Sequence, residues 1–266
     1  MTHVHLIGIG GTGLSAIARL LLERGYTVSG SDRCANQSTR ELEAAGAAIF
    51  LGHHADHIQG ADWVVRSSAI PDENPEVAAA LQAGIPVFKR SEFLGRLMEG
   101  ATCVAVAGTH GKTTTTAMIA WILADAGLNP SYIIGSTAQN LGTNAHAGTG
   151  PFVIEADEYD YMFLGLTPDI AVITTVEHDH PDCFPTVESY QDAFVQFVQR
   201  ISSNGTLILS GDDPVALKMA EHIRPLQSMI TYGISSKADL QAVNLLSIPG
   251  RDRKSTRLNS SHGKLT

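Results

Sequence analysis

No run of apolar residues in this chain is long enough to cross a bilayer. The opening Met1-Thr-His-Val-His-Leu6 sets no basic segment ahead of an apolar one, so neither a secretory leader nor a membrane anchor is expected, and the cytoplasm is the expected compartment. Cysteine is scarce: Cys34, Cys103 and Cys183 are far apart and form no CxxC pair. That excludes a disulfide framework and a zinc knuckle and leaves reduced thiols. Positive charge is also short, with 18 Lys and Arg against 27 Asp and Glu and a net charge of -9, which disfavours nucleic acid as the main partner. No internal repeat is present.

What remains is an ordinary soluble composition, 44% hydrophobic over 266 residues, with room for two domains. The exception is the last stretch, 251–266, which is basic, polar and aperiodic, with five Lys or Arg against one Asp. A disordered tail and a nucleic-acid tail are the plain readings. A non-native tail is the preferred one, because Asp252 to His262 reads as a translated sequencing adapter. On that reading the natural protein was cut near Gly250 and continues further.

The stretch that organises the rest is Val104-Ala-Val-Ala-Gly-Thr-His-Gly-Lys-Thr-Thr-Thr-Thr116. Residues 102–107 are small or β-branched, as in a buried parallel strand, and 112–126 carry Met118, Ile119, Ile122 and Leu123 at helical spacing. A strand, a glycine turn and a helix start thus follow one another. In that setting Gly108 and Gly111 let backbone approach a polyphosphate, amides at the helix start point at it, and Lys112 adds a point charge. Thr109, His110 and Thr114 share the loop, and the Thr113 hydroxyl is placed for a Mg2+ held by the same phosphates. The spacing is shorter than the common Walker pattern. An ordinary glycine turn before a helix is the plain alternative.

A second glycine turn opens the chain. His3 to Ile7 reads as a strand, Gly8-Ile-Gly-Gly-Thr-Gly13 as a G-x-G-x-x-G turn, and 14–24 as a helix with Leu14, Ile17, Leu20 and Leu21 on one face. A strand over 26–30 ends at Ser31-Asp32, where an acid meets a ribose hydroxyl in dinucleotide folds. Alone, the motif is a weak signal that points to an NAD-dependent oxidoreductase, with a turn that binds nothing as the plain alternative. Further elements follow: a helix over 38–45, strands over 47–51 and 62–66, a helix over 74–83 with Pro75 in its first turn, a strand over 86–89 and a helix over 91–98. The alternation implies a parallel doubly wound sheet. The expected fold is therefore α/β: a Rossmann-like domain over 1–100, then an incomplete phosphate-loop α/β ATPase domain over 101–250, then the tail.

Beyond the loop, strands are expected over 131–135, 151–154, 169–175, 206–209 and 229–232, a ligand-facing connection over 136–150, a helix over 186–201 and another after Asp213-Pro214 that carries Ala216, Met219, Ala220 and Ile223. Ligands gather at the carboxyl ends of parallel strands. Three such ends carry chemistry: the 108–114 loop, Glu155-Ala-Asp-Glu-Tyr-Asp160 and Glu177-His-Asp-His-Pro-Asp182. Glu155 and His180, with Thr113, are the candidates for Mg2+. His178, His180 and Cys183 offer a transition-metal alternative, disfavoured because the set is compressed into one loop. His53, His54 and His57 are read as a solvated loop with one ligand contact rather than a metal cluster.

Five motifs in order, the two glycine loops, Ser67-Ser-Ala-Ile70 and the two acidic strand ends, resemble the Mur ligases over residues 3–232. The resemblance implies that Gly10, Gly11, Gly13 and Ser15 hold the diphosphate of a UDP-sugar, with Asp32 and His53 toward its uridine side and Ser67 also among the UDP-sugar contacts. It implies ATP-dependent amide formation in peptidoglycan synthesis. The γ-phosphoryl would pass to the lactyl carboxylate of UDP-N-acetylmuramate, giving an acyl phosphate attacked by L-alanine. Lys112 would steady the transferring phosphate, and Thr113, Glu155 and His180 would hold Mg2+. Two departures stand out. Thr175 occupies a position where the family usually has Asn, and the family continues with a nucleotide-contacting segment and a third, amine-binding domain, so a fragment unable to turn over is expected. A peptide-adding member of the same family is the near alternative, and a nucleotide-binding module without catalysis the distant one.

Overall fold

The computed structural model describes residues 1–234, 237–243, 245 and 257–260. It comprises two compact units, Met1–Cys103 with Thr113–Glu155, and Val104–Lys112 with Ala156–Thr266. Each draws on two stretches of chain. Among the described residues, no helix is long and apolar enough to cross a membrane.

In the first unit the chain runs through β1 (His3–Ile7), α1 (Thr12–Glu23), β2 (Thr27–Asp32), α2 (Gln37–Ala44), β3 (Ala48–Leu51), β4 (Trp63–Arg66), α3 (Pro75–Gln82), β5 (Val87–Lys89) and α4 (Arg90–Leu97). The strands form a parallel sheet in the order β3-β2-β1-β4-β5. This is the doubly wound sheet that the alternation implied. The expected stripe of α1, Leu14, Ile17, Leu20 and Leu21, is buried throughout. Each such side chain contributes about 1.5–3 kcal/mol on burial, which is what holds the helix to the sheet. Asn74 caps α3 by accepting from the Glu76 and Val77 amides, and Pro75 fills the first turn, where its missing N–H costs nothing.

The chain then crosses to the second unit with β6 (Cys103–Ala107) and returns through α5 (Lys112–Asp125), β7 (Ser131–Ile133), β8 (Ala145–His146) and β9 (Phe152–Glu155). β7 pairs parallel with β9 and antiparallel with β8. The 136–150 connection is therefore not wholly irregular: its second half turns back to give β7 a partner, tied down by Glu23, which accepts from the Ala147 amide at 2.8 Å and pairs with His146.

The second unit continues through β10 (Ile170–Ile173), α6 (Val187–Gln199), β11 (Thr206–Ser210), α7 (Pro214–Lys218), β12 (Ser228–Gly233), β13 (Leu240–Val243) and β14 (Arg257–Ser260). β6, β10, β11, β12 and β13 pair in parallel in that sequence, and β14 runs antiparallel to β13. The rest of the 251–266 tail lies outside the described residues. The helix expected after Asp213-Pro214 starts there as α7 and gives way to a 3-10 turn, Met219–His222. A core of rings, Phe163, Phe184, Tyr190, Phe194 and Phe197, packs α6 against the 3-10 segment Tyr159–Gly165. Ile173 of β10 lies opposite Ala107 of β6, so both strands deliver their following loops to the same level.

Candidate functional site

In the second unit the loop after β6 is bonded to the residues that follow β10. Gly108 has φ +130°, and a Cβ there would overlap the Thr174 hydroxyl and crowd the Thr174 and Thr175 nitrogens at 3.0 Å. Glycine is needed for both reasons. Thr174 Oγ1 donates to the His110 carbonyl at 2.6 Å, the Thr109 amide donates to the Thr175 carbonyl at 2.8 Å, and the His110 amide reaches the Thr175 hydroxyl at 3.3 Å. Thr175, where the resembling family usually has Asn, thus still serves the loop through its hydroxyl.

Lys112 begins α5 with its ammonium folded back over the loop. Nζ donates to the Gly108 carbonyl at 2.6 Å and to both oxygens of Glu158, at 2.8 and 3.0 Å. Glu158 is fully buried. An ammonium has three donors and no acceptor, so the cation is fully engaged and a phosphate must displace part of this set to bind it. The Tyr190 hydroxyl donates to Glu158 at 3.1 Å and lies 2.8 Å from Thr109 Oγ1. Thr109 Oγ1 accepts from the Glu177 amide at 2.9 Å and lies 2.8 Å from the Glu177 carbonyl, its single proton going to that carbonyl or to Tyr190. Burial pushes the Tyr190 phenol well above its ordinary pKa, so it stays a neutral donor.

The loop after β10 is anchored from behind by Asp213, which accepts from the Val176 amide at 2.8 Å while its other oxygen caps α7. It carries His180 in the left-handed region at φ +53°, strain that must be held by its surroundings. His180 Nε2 lies 3.8 Å from Glu158. Its amide donates to Asp179 at 2.7 Å, which holds that carboxyl below the usual carboxylate range. His178 is bonded through Nε2 to the Phe184 carbonyl at 2.8 Å, a structural contact.

Of the residues expected around a metal, Thr113 and Glu155 meet in the first unit, Thr113 Oγ1 donating to Glu155 Oε2 at 3.1 Å, while Glu155 also accepts from the Gly135 amide at 2.5 Å. His180 belongs to the second unit, where the carboxylate facing both it and Lys112 is Glu158. Sequence reasoning quoted Glu158 inside its motif and gave it no role. Its position three residues past a strand end, at the entry to a 3-10 turn, was the available signal.

The first glycine loop is organised differently. Gly11 stands at the head of α1 without a side-chain cap, leaving a helix start suited to an anion. The Gly10 amide donates to Asp32 at 2.8 Å, and Asn36 donates to the Gly10 carbonyl at 3.0 Å. Ser15 bonds back to Thr12, and Ser67 lies against Gly8. A Cβ at Gly13 would run into the guanidinium of Arg90, the first residue of α4. Arg90 thus brings a cation to the loop from the carboxyl end of β5, a position sequence reasoning passed over. A polar cavity of about 240 Å3 opens beside α1, lined by Thr12, Ser15, Arg19, Gln37, Ser136 and Asn144. A larger one, about 560 Å3, runs from Thr113 and Thr114 along α5 to Trp121.

The histidines after β3 depart from expectation. His53 and His57 are not solvated: they converge on the buried carboxylate of Glu76, at 3.3 and 2.7 Å, and Ser31 donates to the same group at 2.6 Å. His54 alone is exposed. Burial by itself would raise the Glu76 pKa, but the donors around it, His5, Ser31 and His57, outweigh burial and bring it down to about 2. The residue responsible, 0% exposed and sitting at the start of α3, is far from the histidines in sequence, so their convergence was not legible.

Fold and site together define an α/β phosphate-loop protein with a Rossmann-like glycine turn in its first unit. Two family descriptions match it, "Mur ligase family, catalytic domain" over residues 3–102 and "Mur ligase middle domain" over 106–263. The chain belongs to the Mur ligase family. It is 49% identical over 241 residues to the UDP-N-acetylmuramate--L-alanine ligase of Chlorobium phaeobacteroides strain BS1, covering 90% of this chain and 51% of that protein. With the enzyme of the same name from Roseiflexus sp. strain RS-1 it shares 50% identity over 222 residues, 83% of this chain and 47% of that one. Among solved structures it is similar to the UDP-N-acetylmuramate:L-alanyl-gamma-D-glutamyl-meso-diaminopimelate ligase of Neisseria meningitides, with TM-score 0.82 and 30% identity over 91% of this chain and 80% of that one. The UDP-N-acetylmuramate-alanine ligase of Thermotoga maritima gives TM-score 0.77 and 28% identity over 91% and 54%. The chain spans about half the length of the curated relatives it matches.

Proposed function

We propose that this chain forms the sugar-nucleotide-binding and ATP-binding parts of an ATP-dependent carboxylate–amine ligase of peptidoglycan synthesis in the cytoplasm, adding L-alanine to the lactyl carboxylate of UDP-N-acetylmuramate. The observation that carries this reading is the Lys112 loop between β6 and α5 in a chain whose curated relatives bear that activity in their names. In functional terms residues 1–100 take the UDP-sugar and 101–250 take ATP. Turnover is proposed for a chain of the relatives' full length.

A carboxylate is a poor electrophile, and phosphorylation turns one of its oxygens into a leaving group. Lys112, released from Glu158, would meet the phosphate charge, with the backbone at 108–111 and the Thr114 hydroxyl around it. The donors on hand suit a hard cation: Thr113 and Glu155 bring oxygen donors 3.1 Å apart, and Glu158 sits beside His180. We assign each pair, within its own unit, to Mg2+ binding, and the metal when bound would neutralise charge on phosphate oxygens. Gly10, Gly11, Gly13 and Ser15, with Arg90, are assigned to the sugar-nucleotide diphosphate, and Asp32, His53 and Ser67 to its nucleoside side. Asp32 and His53 act there partly through Gly10 and Glu76, which they already bond.

The similarity to the Neisseria ligase, with its longer amine, favours a second reading in which the same sugar nucleotide is joined to a peptide. Calorimetric titration with UDP-N-acetylmuramate, ADP with Mg2+, and NADH tests the proposal: the first two bind and NADH does not. NADH binding without the sugar nucleotide would overturn it. Amine-dependent phosphate release by the full-length protein, with L-alanine against the tripeptide, separates the two readings.

A further inference from the structure

Glu158 is a fully buried carboxylate whose cation partner, Lys112, is the group a phosphate must recruit. Once that ammonium turns toward a nucleotide, Glu158 loses its strongest donor. A buried charge left without partners moves, takes up a proton or resists the exchange. Tyr190 is the hydrogen-bond donor that remains on it, with His180 Nε2 beside it at 3.8 Å. The Tyr190 ring is fully buried between Phe184 and Phe194, with centroids 5.1 Å away on either side, so the hydroxyl has little freedom of direction. It donates to Glu158 and accepts from Thr109 Oγ1, which itself accepts from the amide of Glu177, at the head of the loop that carries His180, so one chain of donors runs from that loop to the carboxylate.

We infer that Tyr190 is a positioning residue for the nucleotide site, keeping Glu158 fixed and partnered while Lys112 transfers to phosphate and holding the loops at 109 and 177 in register. The inference rests on the proposal that this loop binds a magnesium nucleotide. Its content is that the phenol acts through Glu158 and touches neither nucleotide nor metal. The loss of its hydroxyl therefore falls on the part of nucleotide affinity that depends on Mg2+, as with other groups that orient a ligand from behind.

The test is a titration with ADP, with Mg2+ and with EDTA, on the wild-type chain and on Tyr190→Phe, Glu158→Gln and the double variant. Tyr190→Phe should weaken ADP binding about tenfold with Mg2+ and little without it. In the Glu158→Gln background the same change should add almost nothing, since its route is already removed. Equal weakening with and without Mg2+, or full additivity in the double variant, would overturn the inference while leaving the nucleotide site intact. Wild-type chain that binds no ADP in either condition would overturn the site itself. Should Tyr190→Phe fail to fold, carbon-13 labelling of tyrosine Cζ in the wild-type chain reads the same link. The Tyr190 resonance should shift with Mg2+ and ADP and not with Mg2+ alone, and an unmoved resonance would overturn the inference.

Discussion

The two glycine loops share a strand-turn-helix plan and differ in how each manages charge. The first, at 8–13, keeps its cation outside the loop: Arg90 reaches Gly13 from α4, and Asp32 already holds one loop amide. The second, at 108–111, carries its cation within, and Lys112 is held by a buried carboxylate and by the loop's own carbonyl. On the function proposed above, the second loop meets the phosphate that is transferred and the first holds a diphosphate that stays unchanged.

That contrast can be broken most directly at the cations. Lys112→Met should weaken binding of ADP with Mg2+ by about 100-fold or more, whereas Arg90→Met should weaken UDP-N-acetylmuramate by about tenfold, both read by calorimetry. Equal losses would erase the distinction. The glycines give the next effect. Gly108→Ala combines a left-handed φ with collision against Thr174 and should cost about 3 kcal/mol or more in chemical denaturation. Gly11→Ala meets only the Gly8 carbonyl, at 3.3 Å, and should cost about 1 kcal/mol or less.

Acid sharpens the comparison further. The folded pKa of Glu76, about 2, lies below its ordinary 4.5, so its stabilisation is complete above about pH 4.5 and is lost as pH falls from there toward 2. The loss is on the order of 3 kcal/mol. His5, held by burial below its ordinary 6.5, also binds fewer protons when folded, so its loss begins as pH drops below 6.5. Both tryptophans, Trp63 and Trp121, lie in the first unit. Their fluorescence during thermal melts at pH 7 and pH 3.5 should show a large drop in stability for wild type and a smaller one for Glu76→Gln. The smallest effect belongs to Asp32→Asn, which turns a charged acceptor of the Gly10 amide into a neutral one and should cost about 1 kcal/mol, measured by denaturant midpoint.

Much of this architecture was legible from the chain. The apolar runs at 103–107 and 170–173, the period of α1 and the Asn74-Pro75 cap are local signals, and local sequence decides them. The form of the loop was legible for the same reason: Gly-Lys-Thr follows the buried β6 and opens α5. Glu155 was read as the metal-side acid because it ends a strand. The structure gives Glu158 the place beside Lys112 and His180, because the chain turns into a 3-10 segment there and carries that side chain inward.

Sequence alone thus determined which residue types stand at the strand ends and which backbone positions must be glycine, since both follow from spacing and sterics within a few residues. Only the tertiary structure decided which charges meet. Lys112 finds Glu158 across 46 residues, Tyr190 joins Thr109 across 81, and His57 finds Glu76 across 19. Such pairings depend on strand order and register, which bring distant side chains within a few ångströms, where burial makes the choice of partner matter.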